Sequence, residues 1–85
     1  MSKDINIIDL AKKLDLFYNI GVKRRERNAL IQCFGIKYAN DIIECNIKPE
    51  DIVEKSSLKG TAYATEIRKG ITLSRYVCLK EKVDL

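Results

Sequence analysis

Residues 56–82 read SSLKGTAYATEIRKGITLSRYVCLKEK, and this stretch carries the clearest helical pattern in the chain. It contains no proline, and from Thr61 onward its apolar or small residues recur at helical spacing. The residues on that side are Tyr63, Ala64, Ile67, Ile71, Ser74 and Cys78, with Gly60 and Gly70 beside them. The opposite side carries cations in seven-residue steps, at Arg68, Arg75 and Lys82. The pattern predicts a long C-terminal helix, about Thr61–Lys80, with a core-facing side and a basic stripe.

The rest of the chain predicts four more helices and no sheet, because no segment shows sustained alternation of apolar and polar residues. Their expected ranges are about Asp4–Tyr18, Lys23–Phe34, Lys37–Cys45 and Pro49–Lys55. Gly21 and Gly35 each precede an apolar residue, as is typical of a helix C-terminus, and Pro49 suits a first helical position. We therefore expect an all-α fold, a compact bundle of about five helices in a single helical domain over residues 1–85.

The helical period also predicts which side chains are buried. They are Ile7, Leu10, Ala11, Leu14 and Phe17 in the first helix, Ala29, Leu30, Cys33 and Phe34 in the second, Tyr38, Ala39, Ile42 and Ile43 in the third, and Ile52 and Val53 in the fourth.

Composition argues against catalysis and against a metal site. The chain has 85 residues and no histidine, the commonest general base and metal ligand. Its three cysteines, Cys33, Cys45 and Cys78, lack the C-x-x-C spacing of zinc sites, so we expect buried, reduced thiols. We expect no enzyme activity, no cofactor and no metal.

The N-terminus lacks a signal-peptide pattern and no apolar run is long enough to span a bilayer, so a cytoplasmic protein without a membrane partner is predicted.

Charge is distributed unevenly along the chain, whose net charge is +4. Residues 23–40 carry five cations and one anion, residues 41–58 carry two and five, and residues 59–85 carry six and three. Basic surfaces of this kind suit phosphate, and Gly60 at the expected start of a helix would offer backbone N–H groups to an anion. The candidate RNA-binding residues are Lys23, Arg24, Arg25, Arg27, Lys59, Gly60, Arg68, Lys69 and Arg75.

Two of these segments resemble motifs of the C-terminal arm of bacterial CCA-adding enzymes, the tRNA nucleotidyltransferases. Lys23-Arg24-Arg25-Glu26-Arg27 is similar to that family's Arg-Arg-Pro-Glu-Arg-like motif, with Arg25 in place of the proline. Leu58-Lys59-Gly60 is similar to its Phe-Lys-Gly, although Ser57 stands where the family has a glycine. The resemblance covers about residues 15–82, and it does not include the catalytic core of that family. It implies an all-helical module that holds tRNA without performing chemistry.

The first hypothesis is thus a stand-alone RNA-binding protein that contacts the backbone of a folded RNA, above all tRNA. The first alternative is a helix-turn-helix DNA-binding protein, in which Pro49–Lys55 and Thr61–Lys80 form the helix pair and Thr61, Ala62 and Thr65 lie at the front of a recognition helix. The second alternative is a small inhibitor or adaptor that binds a protein partner. The oligomeric state and the biological process are not defined by the sequence.

Overall fold

The computed structural model describes residues 6–80 and consists of four helices: α1 (Ile7–Arg24), α2 (Arg27–Glu44), α3 (Pro49–Lys55) and α4 (Ala64–Leu73). Residues 6–80 contain no strand, so the all-α prediction is confirmed. The prediction of five helices is wrong, because the expected second and third helices form one continuous helix, α2. The long C-terminal helix is also not found, since α4 has 10 residues.

Helix α1 buries the face that its apolar period predicted. Leu10, Ala11, Leu14 and Phe17 lie in the core, and Ile7 packs against them half-buried. The helix begins at Ile7 because the side chain of Asn6 caps it, accepting a hydrogen bond of 2.9 Å from the backbone N–H of Asp9. Asp4, the predicted start, lies outside the described residues.

The end of α1 lies six residues later than predicted, at Arg24 instead of Tyr18, and Gly21 is inside the helix. Arg25 adopts the left-handed conformation with φ 57°, and Glu26 N–H donates to the Gly21 carbonyl at 2.8 Å. Together with the bond from Arg25 N–H to the Val22 carbonyl, this is a Schellman motif with arginine in the position that usually holds glycine.

Helix α2 ends with the same motif, again without glycine. Asn46 has φ 55°, and the N–H groups of Asn46 and Ile47 donate to the carbonyls of Ile43 and Ile42. Asparagine tolerates this conformation better than most residues, and apolar Ile47 follows it half-buried. The predicted stop at Gly35 is wrong, because Gly35 lies in the middle of α2.

The buried glycines serve close helix packing instead of helix termination. A Cβ atom on Gly21 would lie 2.8 Å from the Cα of Arg27, where α2 begins. A Cβ on Gly35 would lie 2.4 Å from the Ile67 carbonyl oxygen, and one on Gly70 would lie 2.1 Å from the Gln32 carbonyl oxygen. Helices α2 and α4 therefore approach backbone to backbone at Gly35 and Gly70.

Helix α3 has the predicted bounds, with Pro49 at its start and Ile52 and Val53 buried. The connection from Ser56 to Tyr63 is fixed to α1 by Asp15, whose carboxylate accepts hydrogen bonds from the Ser57 N–H at 3.0 Å and from the Ser57 hydroxyl at 2.7 Å. Gly60 has φ 86° within this connection, a conformation that side chains rarely adopt.

Helix α4 is short because the chain turns back toward α2 after Leu73. The N–H groups of Arg75 and Tyr76 donate to carbonyls three residues earlier, which tightens and ends the helix. Leu79 then lies half-buried against the core. Cys78, expected on the buried side of a longer helix, is exposed.

The core centres on aromatic side chains of α1 and α2. The Phe17 and Phe34 rings lie 5.8 Å apart edge to face, and Tyr38 lies 5.1 Å from Phe34. Partial burial raises the pKa of the Tyr38 hydroxyl, and Asp41 adds to this effect. Ile31 is fully buried although it was not predicted to be.

Three predicted core residues lie elsewhere. Ala29 is exposed, Ile43 is 62% exposed, and Cys45 is exposed at the end of α2. The burial of Ala29 and Ile43 was predicted from the apolar periods of two short helices, whereas the single helix α2 turns other residues toward α1 and α4. The burial of Cys45 was predicted from its lack of zinc-site spacing. Cys33 is half-buried, and within residues 6–80, which include all three cysteines, no disulfide is formed. None of the four described helices combines the length and apolar character needed to span a bilayer.

Candidate nucleic-acid interface

Helix α4 has one buried and one exposed face, as its sequence predicted. Ala64, Ile67 and Gly70 are buried against the rest of the fold. The exposed residues Thr65, Arg68, Lys69 and Thr72 form what is called here the outer face of α4.

The outer face of α4 contributes to two shallow surface depressions. One is lined by all four of its residues together with Gln32 and Leu73, and the other lies toward the end of α2 and is lined in part by Ile43 and Ile47. Arg68 and Thr72 border both depressions. We call this exposed strip of α4 the ridge; for the 10 residues of the helix it is about 15 Å long.

Arg68 on this ridge forms an ion pair with Glu50 at the start of α3. The two side chains are each 52% exposed, so the pair borders solvent. The hydrogen bond between them lowers the pKa of the Glu50 carboxyl from its ordinary value and raises the pKa of the Arg68 guanidinium.

Lys69 also forms an ion pair, with the carboxylate of Glu66 one turn before it. Glu66 accepts a hydrogen bond of 2.7 Å from the Gln32 side-chain amide and one of 3.3 Å from the Lys69 ammonium. Both contacts lower the pKa of the Glu66 carboxyl, and the hydrogen bond from Gln32 has the larger effect. The Glu66 side chain is only 16% exposed, so it also ties α4 to α2.

These pairs correct the prediction of a continuous basic stripe. Arg68 and Lys69 are exposed as expected, but each lies beside a carboxylate. Arg75 follows the end of α4, where its guanidinium lies 5.8 Å from the centre of the Tyr76 ring. Lys82, the third member of the stripe, lies outside the described residues.

The second predicted cluster forms the corner between α1 and α2. Lys23 and Arg24 lie in the last turn of α1, Arg25 caps it, and Arg27 begins α2; all four side chains are exposed. We call these four residues the basic corner. Lys23 and Arg24 interact favourably with the macrodipole of α1, because cations in the last turn of a helix are favourable.

The chain beyond α4 returns to the basic corner. Leu79 and Lys80 line a depression that also includes Arg24, Ala29 and Cys33. Lys80 therefore adds a cation near this corner that the sequence alone did not assign to it. The signal in the sequence that could have indicated this return is Leu79, an apolar residue outside the buried row of α4.

The first turns of α2 join the basic corner to the ridge. Arg27 begins α2, and Gln32, five residues later, lines the depression beside the outer face of α4. Five helical residues correspond to about 7.5 Å along the axis. The basic corner and the ridge are thus both attached to the first turns of α2, although Arg27 and Gln32 lie about 140° apart around its axis.

The helix start expected at Gly60, beside Lys59, does not form there. Lys59 pairs with Glu54 at 3.3 Å. Gly60 is not at a helix start, because α4 begins at Ala64, and the Thr61 N–H donates to the Leu58 carbonyl at 3.1 Å. The backbone N–H of Thr61, the residue after Gly60, is therefore used within the turn.

Within residues 6–80, no group of three or more histidine, cysteine or acidic side chains is placed to hold a metal ion. The buried side chains of this part of the chain are all non-polar.

Helices α3 and α4 are the pair that the sequence proposed as a helix-turn-helix. They pack against each other, and Arg68–Glu50 joins their exposed sides. Their connection, residues 56–63, is longer than the 3–4-residue turn of the common motif.

Comparison with known proteins identifies the family. A family model described as an HTH-like domain matches residues 6–80, which span all four helices. A curated relative from Drosophila melanogaster, the putative dual specificity tyrosine-phosphorylation-regulated kinase 3 homolog, is 36% identical over 52 residues. The match covers 60% of this chain but only 6% of that protein. No solved structure matches the chain.

The family match overturns the resemblance to the arm of CCA-adding enzymes. That resemblance rested on two short motifs, whereas the family model covers nearly the whole fold. The Lys23–Arg27 motif is a helix-to-helix corner and Leu58-Lys59-Gly60 is part of a turn, so neither is evidence for a tRNA-binding arm. The chain belongs to the family of HTH-like domains.

Proposed function

We propose that this chain is a nucleic-acid-binding domain that binds double-stranded DNA without catalysis. The outer face of α4 enters the major groove, and the basic corner contacts the phosphate backbone. The observation that supports this most directly is that α4 has an exposed polar outer face, whose Arg68 and Thr72 border both depressions.

The dimensions of the ridge support duplex DNA as the ligand. The major groove of B-DNA is about 12 Å wide and admits one α-helix, whereas the deep, narrow major groove of duplex RNA does not. A ridge about 15 Å long can lie in that groove with several side chains near the bases.

The residues of the outer face have the chemistry for such contacts. Arginine binds the O6 and N7 atoms of guanine through two hydrogen bonds, and threonine contacts the thymine methyl group or a phosphate. Arg68 lies between Thr65 and Thr72 on this face. The exposed cations of the basic corner suit phosphate, which carries no sequence information.

The test is a set of binding titrations followed by fluorescence anisotropy. Labelled random-sequence DNA duplex, RNA duplex and single-stranded DNA of equal length are compared between about 50 and 200 mM salt, a range over which phosphate contacts weaken strongly. We expect the DNA duplex to bind tightest. Equal binding of all three ligands would contradict docking in the major groove.

A pair of matched variants locates the interface. Thr65→Glu/Thr72→Glu places two carboxylates on the outer face of α4 and should weaken duplex binding by at least about tenfold, because each meets the DNA at close range. Asn19→Glu/Asn40→Glu adds the same charge at exposed positions of α1 and α2. An equal loss in both variants would reject α4 as the reading helix.

Binding of a protein partner is the second candidate function. It is favoured by two exposed apolar side chains, Tyr76 at 74% and Ile43 at 62% exposure. A chain that binds none of the three nucleic acids at low salt would favour this candidate. The cytoplasmic location stays a prediction of the sequence.

A further inference from the structure

The ridge of α4 carries no net charge once its ion partners are included. Arg68 lies against Glu50 and Lys69 against Glu66, so two cations are matched by two carboxylates. Surfaces that hold the DNA backbone nonspecifically depend on an excess of cations. The ridge therefore differs from a surface of that kind, and its neutrality requires an explanation in a DNA-binding domain.

The Arg68–Glu50 pair is placed where DNA would compete for it. Both side chains are 52% exposed, and Arg68 borders both depressions beside the ridge. Carboxylate and phosphate bind the same fork of guanidinium N–H groups. A phosphate that approaches Arg68 must displace Glu50 and also meets its negative charge.

Guanine must also displace Glu50 from Arg68, but it differs from phosphate in charge. Its O6 and N7 atoms accept two hydrogen bonds from arginine and carry no net charge. A base edge therefore takes the place of the Glu50 carboxylate on Arg68 without like-charge repulsion. A phosphate in the same place is repelled by that carboxylate.

From this geometry we propose that Glu50 is a specificity-determining positioning residue, which withholds Arg68 from phosphates and releases it to a guanine base edge. The inference rests on the proposed function. Glu50 acts through Arg68 and need not touch the DNA itself. It sets the discrimination between random and specific sequences by keeping nonspecific binding weak.

The test uses Glu50→Gln, which keeps the shape of the side chain and removes its charge. Random-sequence duplex should bind this variant about three- to tenfold more tightly at 50 mM salt, since Arg68 then neutralises one more phosphate. The slope of log affinity against log salt should become steeper by about 0.9. A purely structural role for Glu50 would not change this slope.

Asp51→Asn is the matched control. Asp51 is exposed in the same first turn of α3, and its replacement removes the same charge without touching Arg68. We expect less than about a twofold increase in affinity and an unchanged slope. In an Arg68→Gln background, the effect of Glu50→Gln should disappear, because the side chain that would bind the phosphate is absent.

The outcomes separate this inference from the proposed function. If wild type binds the duplex and Glu50→Gln behaves like Asp51→Asn, the inference is wrong and the proposed function stands. If neither wild type nor Glu50→Gln binds any duplex at 50 mM salt, both are wrong. A duplex that binds only Glu50→Gln would support the inference directly.

Discussion

Gly35 of α2 and Gly70 of α4 face each other so closely that a Cβ atom on either would lie 3.0 Å from the Cα of the other. This contact fixes the position of α4 on α2 and so determines which side of α4 is exposed. The outer face with Arg68 and Thr72 is a consequence of where these two glycines meet.

Replacement of either glycine by alanine should therefore destabilise the fold. In an open helix, Gly→Ala stabilises by up to about 1 kcal/mol. Here the new Cβ meets backbone atoms that cannot move aside, so Gly35→Ala or Gly70→Ala should lower the free energy of unfolding by about 1–3 kcal/mol. Urea denaturation measures the change, with Lys69→Ala as an exposed control on α4. A more stable Gly70→Ala protein would contradict the contact.

Ile67 and Ile43 offer a test of the core. Ile67 is fully buried, and Ile67→Ala should cost about 2–5 kcal/mol of unfolding free energy, as expected for a cavity. Ile43 is 62% exposed, and Ile43→Ala should change stability by less than about 0.5 kcal/mol. Thermal and urea unfolding of both variants check the pair. Similar costs would restore the prediction that Ile43 is buried.

Arg25 is a cation in a backbone conformation that favours glycine. With φ 57°, an arginine is strained, so Arg25→Gly should raise the free energy of unfolding by up to about 1 kcal/mol. The same variant removes one charge of the basic corner and should weaken duplex binding. Asn46→Gly, at φ 55°, is the control, because asparagine is already tolerated there. Lower stability of Arg25→Gly would contradict the Schellman motif at this position.

The basic corner should contribute to affinity but not to folding. Lys23→Ala/Arg27→Ala should weaken binding to every duplex to a similar extent, and the salt slope should become shallower by about 0.9 for each phosphate that is no longer neutralised. The melting temperature should stay almost unchanged, since exposed cations contribute little to stability. Lys12→Ala/Lys55→Ala removes two exposed cations elsewhere and controls for net charge. Binding that is insensitive to salt would exclude this role.

Glu66 should make stability depend on pH at the acid end. Its pKa in the folded protein is lowered from the ordinary 4.5 by Gln32 and Lys69, so its stabilising contribution is present above that value and is lost as the pH falls through the lowered pKa. Glu66→Gln should therefore be less stable than wild type at neutral pH, and the difference should shrink in acid. Urea unfolding across this range measures it, with Glu44→Gln as an exposed control. A difference that is constant with pH would show that the charge of Glu66 is not involved.

The Drosophila relative does not define the function of this chain. The chain corresponds to 6% of that protein, so the activity named for the relative is not assigned to this chain. The proposal of duplex binding depends instead on the family and on the exposed ridge of α4.

The sequence by itself determined the helical class, the buried face of α1 and the bounds of α3. Each depends on local information: apolar spacing in α1, and Pro49 with the acidic first turn that follows it in α3. The division of α4 into buried and exposed faces was determined in the same way. For these elements, the chain needs no distant partner to specify the structure.

Only the tertiary structure decided where α1, α2 and α4 end and which cations form ion pairs with carboxylates. A glycine before an apolar residue can end a helix or allow a second helix to approach, and the outcome at Gly21 and Gly35 depends on the helix that packs there. Arg68 looked like an unmatched cation because Glu50 precedes it by 18 residues and reaches it only when α3 lies beside α4. Packing determines both results because close contact and ion pairing depend on distance in space, which spacing along a chain does not define.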